Sequence, residues 1–179
     1  MTKKLTIFTF ILTFCLTSYG QTKIEKKNQE NKTDIYKADT SIIAILPLDT
    51  TQYWIFKNNK PTDLTTDDLH KIEVILTKSI DDYNSDQEKQ FTEINNKHPK
   101  YKLSKKNFII DLTRYKRQYV ATLNSKGEKE VWVNCFCNSH NRDWKTEIIV
   151  VKDGGNCYFN LKINLTTEKY YELMVNGDA

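Results

Sequence analysis

The residues with the clearest chemical potential stand close together, in the run Cys135-Phe136-Cys137-Asn138-Ser139-His140. Two thiols and an imidazole are ligands that a soft metal uses. A fourth ligand is lacking nearby, and a Cys-x-Cys spacing along a strand spreads the sulfurs awkwardly around one ion. No Cys-x-x-Cys stands at a helix start to activate a thiol. A metal- or thiol-dependent enzyme using Cys135, Cys137 and His140 is therefore the alternative reading. Ser139, His140 and Asp143 offer the residue types of a hydrolase triad, but within five consecutive positions and with no nucleophile elbow or glycine-rich oxyanion loop. No Walker loop, dinucleotide fingerprint or calcium loop of standard spacing is present. The sequence assigns no catalytic residue and implies no cofactor.

A second group is aromatic and amide. Trp132, Phe136 and Tyr158 stand with Gln118, Asn134 and Asn160 on what the strand pattern makes one sheet face. Aromatic bodies rimmed by amides suit peptide or sugar recognition. These six residues are the candidate ligand-binding set. The leading functional expectation is an exported, non-catalytic binding or interaction module for a peptide, glycan or protein. Against it stands the favoured state of that face, in which segments near Ile42 and Trp54 cover the aromatics as a second small core, because exposed aromatic patches are uncommon on monomers.

The elements that position these residues follow from periodicity. Four alternating runs, Tyr115 to Leu123, Lys129 to Cys137, Trp144 to Lys152 and Cys157 to Leu165, are separated by turn residues or polar stretches, and Asp153-Gly154-Gly155-Asn156 is a hairpin signal. Laid out as an antiparallel meander, Leu123 faces Lys129, Cys137 faces Trp144, and Lys152 faces Cys157. One face then collects Tyr119, Ala121, Val131, Val133, Cys135, Phe159, Leu161 and Ile163, together with Ile148 and Val150. In this register Cys157 lies six positions from Cys135, or about 20 Å along the strands. A disulfide needs Cα atoms within about 7 Å. The cysteines then read as buried thiols, as a disulfide that the register misses, or as chemistry. Leu173 to Val175 supplies a further edge strand.

Thr65 and Asp68 form a capping-box pattern, and Leu69, Ile72, Leu76, Ile80 and Tyr83 follow at helical spacing. The helix is expected to fray near Asn84-Ser85, with a weaker second helix around Phe91 and Ile94. Ser41 to Leu46 and Tyr53 to Phe56 read as two brief strands or an extended lead-in. The expected class is α+β: an amphipathic helix packed on one face of a four- to five-stranded antiparallel meander sheet.

Residues 1–20 pair Lys3 and Lys4 with an apolar stretch and small residues at Ser18 and Gly20, which is a signal-peptide pattern. The protein is expected in the periplasm or secreted, with a lipoprotein anchored at Cys15 as the less favoured alternative. Residues 21–40 are too polar to bury and read as a flexible leader. Residues 41–179 form a single domain. The first 20 residues hold two of the 27 basic residues and none of the 23 acidic ones, so the remainder carries only +2. That balance is too even to imply a nucleic-acid partner, and the first apolar stretch is too short to span a membrane, with no second such run after it. A homodimer stays open, since sheets of this kind can pair.

Tyr115-Lys116-Arg117-Gln118-Tyr119, the stretch Asp153-Gly154-Gly155-Asn156-Cys157-Tyr158-Phe159 and the ending Val175-Asn176-Gly177-Asp178-Ala179 resemble small exported bacterial proteins of unknown function. Their architecture is cystatin-like or NTF2-like α+β. The resemblance covers about Tyr115 to Ala179 and, loosely, Ile42 to Tyr83. It implies fold and compartment, with no catalytic residue to carry over.

Overall fold

A computed structural model of the chain describes residues 37–49, 51 and 54–177. The signal-like segment, the Cys15 site, residues 21–36 of the leader and Tyr53 lie outside them. Among the described residues no helix is long and apolar enough to cross a membrane.

The fold is α+β, with one long helix against a six-stranded, mostly antiparallel open sheet. The strands are β1 (Ile43–Leu46), β2 (Lys60–Pro61), β3 (Lys116–Leu123), β4 (Lys129–Phe136), β5 (Tyr158–Asn164) and β6 (Lys169–Val175). The order across the sheet is β1-β3-β4-β5-β6, with β2 also pairing β3. The β1–β3 pair is parallel and the others are antiparallel. The Tyr53 to Phe56 run forms no strand over its described residues; Trp54 and Ile55 lie in a turn.

Helix α1 (Thr66–Lys97) starts at the expected box. The Thr65 side chain accepts from the Asp68 amide at 3.1 Å, and the Asp68 carboxylate accepts from the Thr65 amide at 2.9 Å. Asp68 also receives Lys129 Nζ at 2.6 Å, which ties the helix start to β4. Removing one such cap removes a bond that the first turn cannot replace. Thr65→Ala is expected to lower stability by about 1 kcal/mol in urea denaturation; an unchanged midpoint would mean that the box does not hold the helix start.

The helix does not break at Asn84. Asn destabilises helices when its amide competes for nearby backbone, but this amide is fully engaged elsewhere: Nδ2 donates to Ile110 O and Oδ1 accepts from Ile110 N, both at 2.8 Å. Beyond it, Asp86 pairs with Lys89 and Glu93 with Lys97 at helical spacing, so the two expected helices run as one. Leu69, Ile72, Ile75, Leu76 and Ile80 pack on the face of Tyr119, Val131, Val133, Cys135, Phe159, Leu161 and Ile163. Ile72 and Leu76 are fully buried. Each such side chain contributes about 1.5–3 kcal/mol by leaving water.

The β3–β4 register is as expected, with Leu123 opposite Lys129. The next connection is not. Trp144 to Lys152 forms no strand; instead β4 pairs directly with β5, Phe136 opposite Tyr158 and Val131 opposite Ile163. Both segments alternate apolar and polar residues, so β5 satisfies the open edge of β4 as well as residues 144–152 would. Residues 138–156 become an irregular flap laid over the sheet. Trp144 and Ile149 are buried in it, whereas Val150, expected in the core, is 52% exposed.

That correction brings Cys137 and Cys157 level, joined by a backbone bond from Cys137 N to Cys157 O at 3.0 Å. They form a disulfide with Cα atoms 5.2 Å apart. The expectation that Cys157 lies far from the other cysteines came from counting an extra strand. The Gly-Gly segment is no hairpin tip either. Gly154 adopts φ +98° and leads through a short 3-10 turn (Gly155–Cys157) into β5, and a Cβ at Gly154 would meet the Tyr158 ring at 2.7 Å. The final strand is longer than expected, covering Lys169–Val175.

Candidate functional site

The structure keeps the six aromatic and amide residues on one sheet face and closes that face. Trp132, Phe136 and Tyr158 are buried in a second core with Ala44, Leu46, Ile55, Phe56, Trp144 and Ile149. Gln118 and Asn134 are buried too, and Asn160 is half-buried. The amides are occupied by the chain itself. Gln118 Nε2 donates to Trp144 O at 2.6 Å and Glu147 O at 2.7 Å, while its Oε1 accepts from Ile149 N and Asn134 Nδ2 at 3.0 Å. Asn134 Nδ2 also donates to Ile149 O at 2.8 Å. The amides of this face are taken up by the flap, and its aromatics by the flap together with Ala44, Leu46, Ile55 and Phe56.

The proposed cysteine-histidine set does not assemble. Cys137 is consumed by the disulfide, and Cys135 is fully buried on the opposite face beneath α1. Burial pushes the Cys135 thiol far up, away from the thiolate that metal binding or nucleophilic attack requires. His140 stacks on Tyr158, its Nε2 2.7 Å from the phenol oxygen. No group of three His, Cys, Asp or Glu placed to hold a metal ion exists among the described residues.

An open concave surface lies elsewhere, at the flank of α1. It is a cleft of about 640 Å³ between the helix, the segment leading into β1 and the loop leading into β3. From the helix come Thr77, Ile80, Asp81 and Asn84, one stripe at i, i+3, i+4 and i+7. Asp39 and Ile42 form a second wall, and Ile110 to Thr113 the third, pinned to the helix by the Asn84 clamp. Ile42, Ile80, Ile110 and Leu112 make the floor apolar.

Three carboxylates line this cleft, each from a different segment. Asp39 is held below the ordinary carboxylate range by hydrogen bonds from the Ser41 side chain and amide, with the Arg117 charge adding to the effect. Asp111 is lowered likewise by the Thr113 hydroxyl at 2.7 Å and amide at 3.1 Å. Asp81 has no hydrogen-bond or ion-pair partner among the described residues and is exposed.

The single cation lining the cleft is Arg117, 7% exposed. Its charge is already met: Nη1 lies 3.1 Å from Glu73 Oε2, and Nη2 donates to Leu112 O at 3.3 Å. Glu73 also accepts from the Tyr119 hydroxyl, whose ionisation is pushed well up, first by burial and then by that carboxylate. Arg117 Nε alone among the buried side-chain polar atoms described has no hydrogen-bond partner.

The fold and site define a helix-on-sheet domain with a lateral, acid-rimmed cleft. Comparison of the chain with family models, curated proteins and solved structures finds no match.

Sequence reasoning missed the cleft. Asp81 reads as a residue of the solvated helix side, which it is, and Asp111-Leu112-Thr113 carries only the signal of a local cap. Nothing in the linear pattern sets Asp39, Asp81 and Asp111 around one hollow.

Proposed function

We propose that this chain is an exported, non-catalytic binding module whose ligand carries a positive charge and seats in the cleft beside α1. The observation that carries this reading is the convergence of three carboxylates, from three separate segments, on one apolar floor. Beyond the signal-like residues the chain carries a formal charge of only +2, and the three carboxylates outnumber the one cation that lines the cleft. An apolar floor under an anionic rim fits a cation on an aliphatic stem. No imidazole or thiol lines the cleft, which favours binding over chemistry. The signal-like first residues support export, as does a Cys137–Cys157 disulfide, which is at home in an oxidising compartment. A helix across a curved sheet is in keeping with the cystatin-like or NTF2-like resemblance.

The test is a titration with cadaverine, an aliphatic diamine, followed by amide resonances. Saturable shifts confined to residues such as Thr77, Asp81 and Thr113 are expected, weakening as salt rises. Asp81→Asn removes a charge without disturbing a partner, and is expected to weaken binding about threefold, the scale of one exposed ion pair. Shifts scattered over the surface, or an unaffected variant, would remove the cleft as the site.

A further inference from the structure

We infer that the lysine-rich turn closing α1 docks the protein on an anionic lipid bilayer. This surface lies outside the cleft and does not depend on the reading of it given above. Five lysines, Lys97, Lys100, Lys102, Lys105 and Lys106, stand within residues 97–106 with no carboxylate among them. The stretch carries +5, so the rest of the chain beyond residue 20, where the total is +2, carries −3. The positive charge is gathered in one turn.

Structural roles account for two of these charges. Lys97 ends the helix, where a cation complements the dipole, and pairs with Glu93; Lys105 Nζ lies 2.7 Å from Glu88. Lys100, Lys102 and Lys106 stand beyond the last helical turn, are exposed, and have no ion-pair partner among the described residues. Like charges gathered so closely repel one another, and an anionic surface relieves that repulsion. The turn that presents them is fixed to the domain. Asn156 Nδ2 donates to Lys106 O and Ile109 O, both at 3.0 Å, and Phe108 packs edge-on against Phe91 of α1 with ring centroids 5.3 Å apart.

Tyr101 favours a membrane over a soluble polyanion. It stands between Lys100 and Lys102 at the end of a 3-10 turn (Pro99–Tyr101), is 65% exposed, and stacks on His98 with ring centroids 4.9 Å apart. An exposed aromatic ring flanked by ammonium groups suits the bilayer interface, where the ring sits at headgroup level and the lysines meet lipid phosphates. A soluble polyanion needs only the lysines. Each lysine near an anionic leaflet adds about fivefold to partitioning.

The experiment measures partitioning of the full chain onto vesicles of phosphatidylcholine alone and of phosphatidylcholine and phosphatidylglycerol in equal parts. Any contribution from the apolar stretch of the first 20 residues is common to all variants and is read on the neutral vesicles. The preference for anionic vesicles is expected to fall about a hundredfold when Lys100, Lys102 and Lys106 are all replaced by Gln, and to fade as salt rises. Tyr101→Ala is expected to weaken vesicle binding several-fold and to leave binding to heparin, a soluble polyanion, unchanged. All four positions are exposed, so urea midpoints should stay at the wild-type value and show that the variants fold. A wild type with no preference for anionic vesicles overturns the inference, as does a triple variant that keeps the preference, since another surface then makes the contact. Vesicle binding that Tyr101→Ala leaves intact, alongside tight heparin binding that the triple variant loses, would make the partner a soluble polyanion and sink the membrane assignment.

Discussion

A Phe136→Ala variant is expected to lose about 3–5 kcal/mol of stability, the range for truncating a fully buried aromatic side chain. Phe136 has no exposed surface and sits edge-on to Trp144, with ring centroids 6.1 Å apart. Its ring fills the space between the sheet and the flap, so its loss leaves a void lined by Trp144 and Ile149 that the disulfide-anchored flap cannot easily collapse into. Because whole domains hold only about 5–15 kcal/mol, the variant could unfold outright. Phe136→Leu, which keeps most of the volume, should then remain folded and lose only about 1 kcal/mol. Urea denaturation followed by tryptophan fluorescence reads both. Two variants with wild-type midpoints would mean that the face is open and Phe136 is not a core residue.

The second large effect is expected from the disulfide. Replacing Cys137 and Cys157 together by Ser should lower stability by about 3 kcal/mol, the chain-entropy value for a loop of this size. The bond spans 20 positions, and the whole irregular flap lies inside it. Its loss frees the flap base, while Gln118 and Asn134 still hold Trp144, Glu147 and Ile149 at the centre. Hydrogen exchange should therefore rise first at flap amides near residue 150 and least in β4 and β5, whose ladder does not depend on the bond. The measurement compares urea midpoints and exchange rates of the wild type and the double variant. A change below about 1 kcal/mol, with flap exchange unaltered, would show that the side-chain amides alone fix the flap.

These two effects change the meaning of the aromatic residues. Substituting Trp132 or Phe136 to probe ligand binding would mostly report damaged packing, since both belong to the second core. The clean probe of binding is Asp81, which is exposed and stabilises nothing nearby.

How much was legible in the chain differs by element. The capping box at Thr65 and Asp68 needs only residues three apart, and the structure reproduces it bond for bond. The β3–β4 hairpin is equally local: five residues join the strands, and one register buries Tyr119, Val131 and Val133 together. The helix end was misread because the competing group, Asn84, is satisfied by Ile110, which lies 26 positions away. Residues 144–152 were misread because alternation is necessary for a strand and not sufficient for one. Two segments competed for the edge of β4, and the pattern of neither excludes the other.

The sequence by itself determined the two periodicities, and with them the start of the helix, the oily face that it covers, and most of the residues buried between the two. Periodicity acts within a segment and is set by which side chains leave water. Tertiary structure alone decided which strand neighbours β4, that Cys137 meets Cys157, that the amide face is filled by its own flap, and that Asp39, Asp81, Asp111 and Arg117 share a cleft. Each of these depends on pairing groups far apart in the chain, where several partners satisfy the same hydrogen bonds. The choice among them falls to the packing of the whole domain.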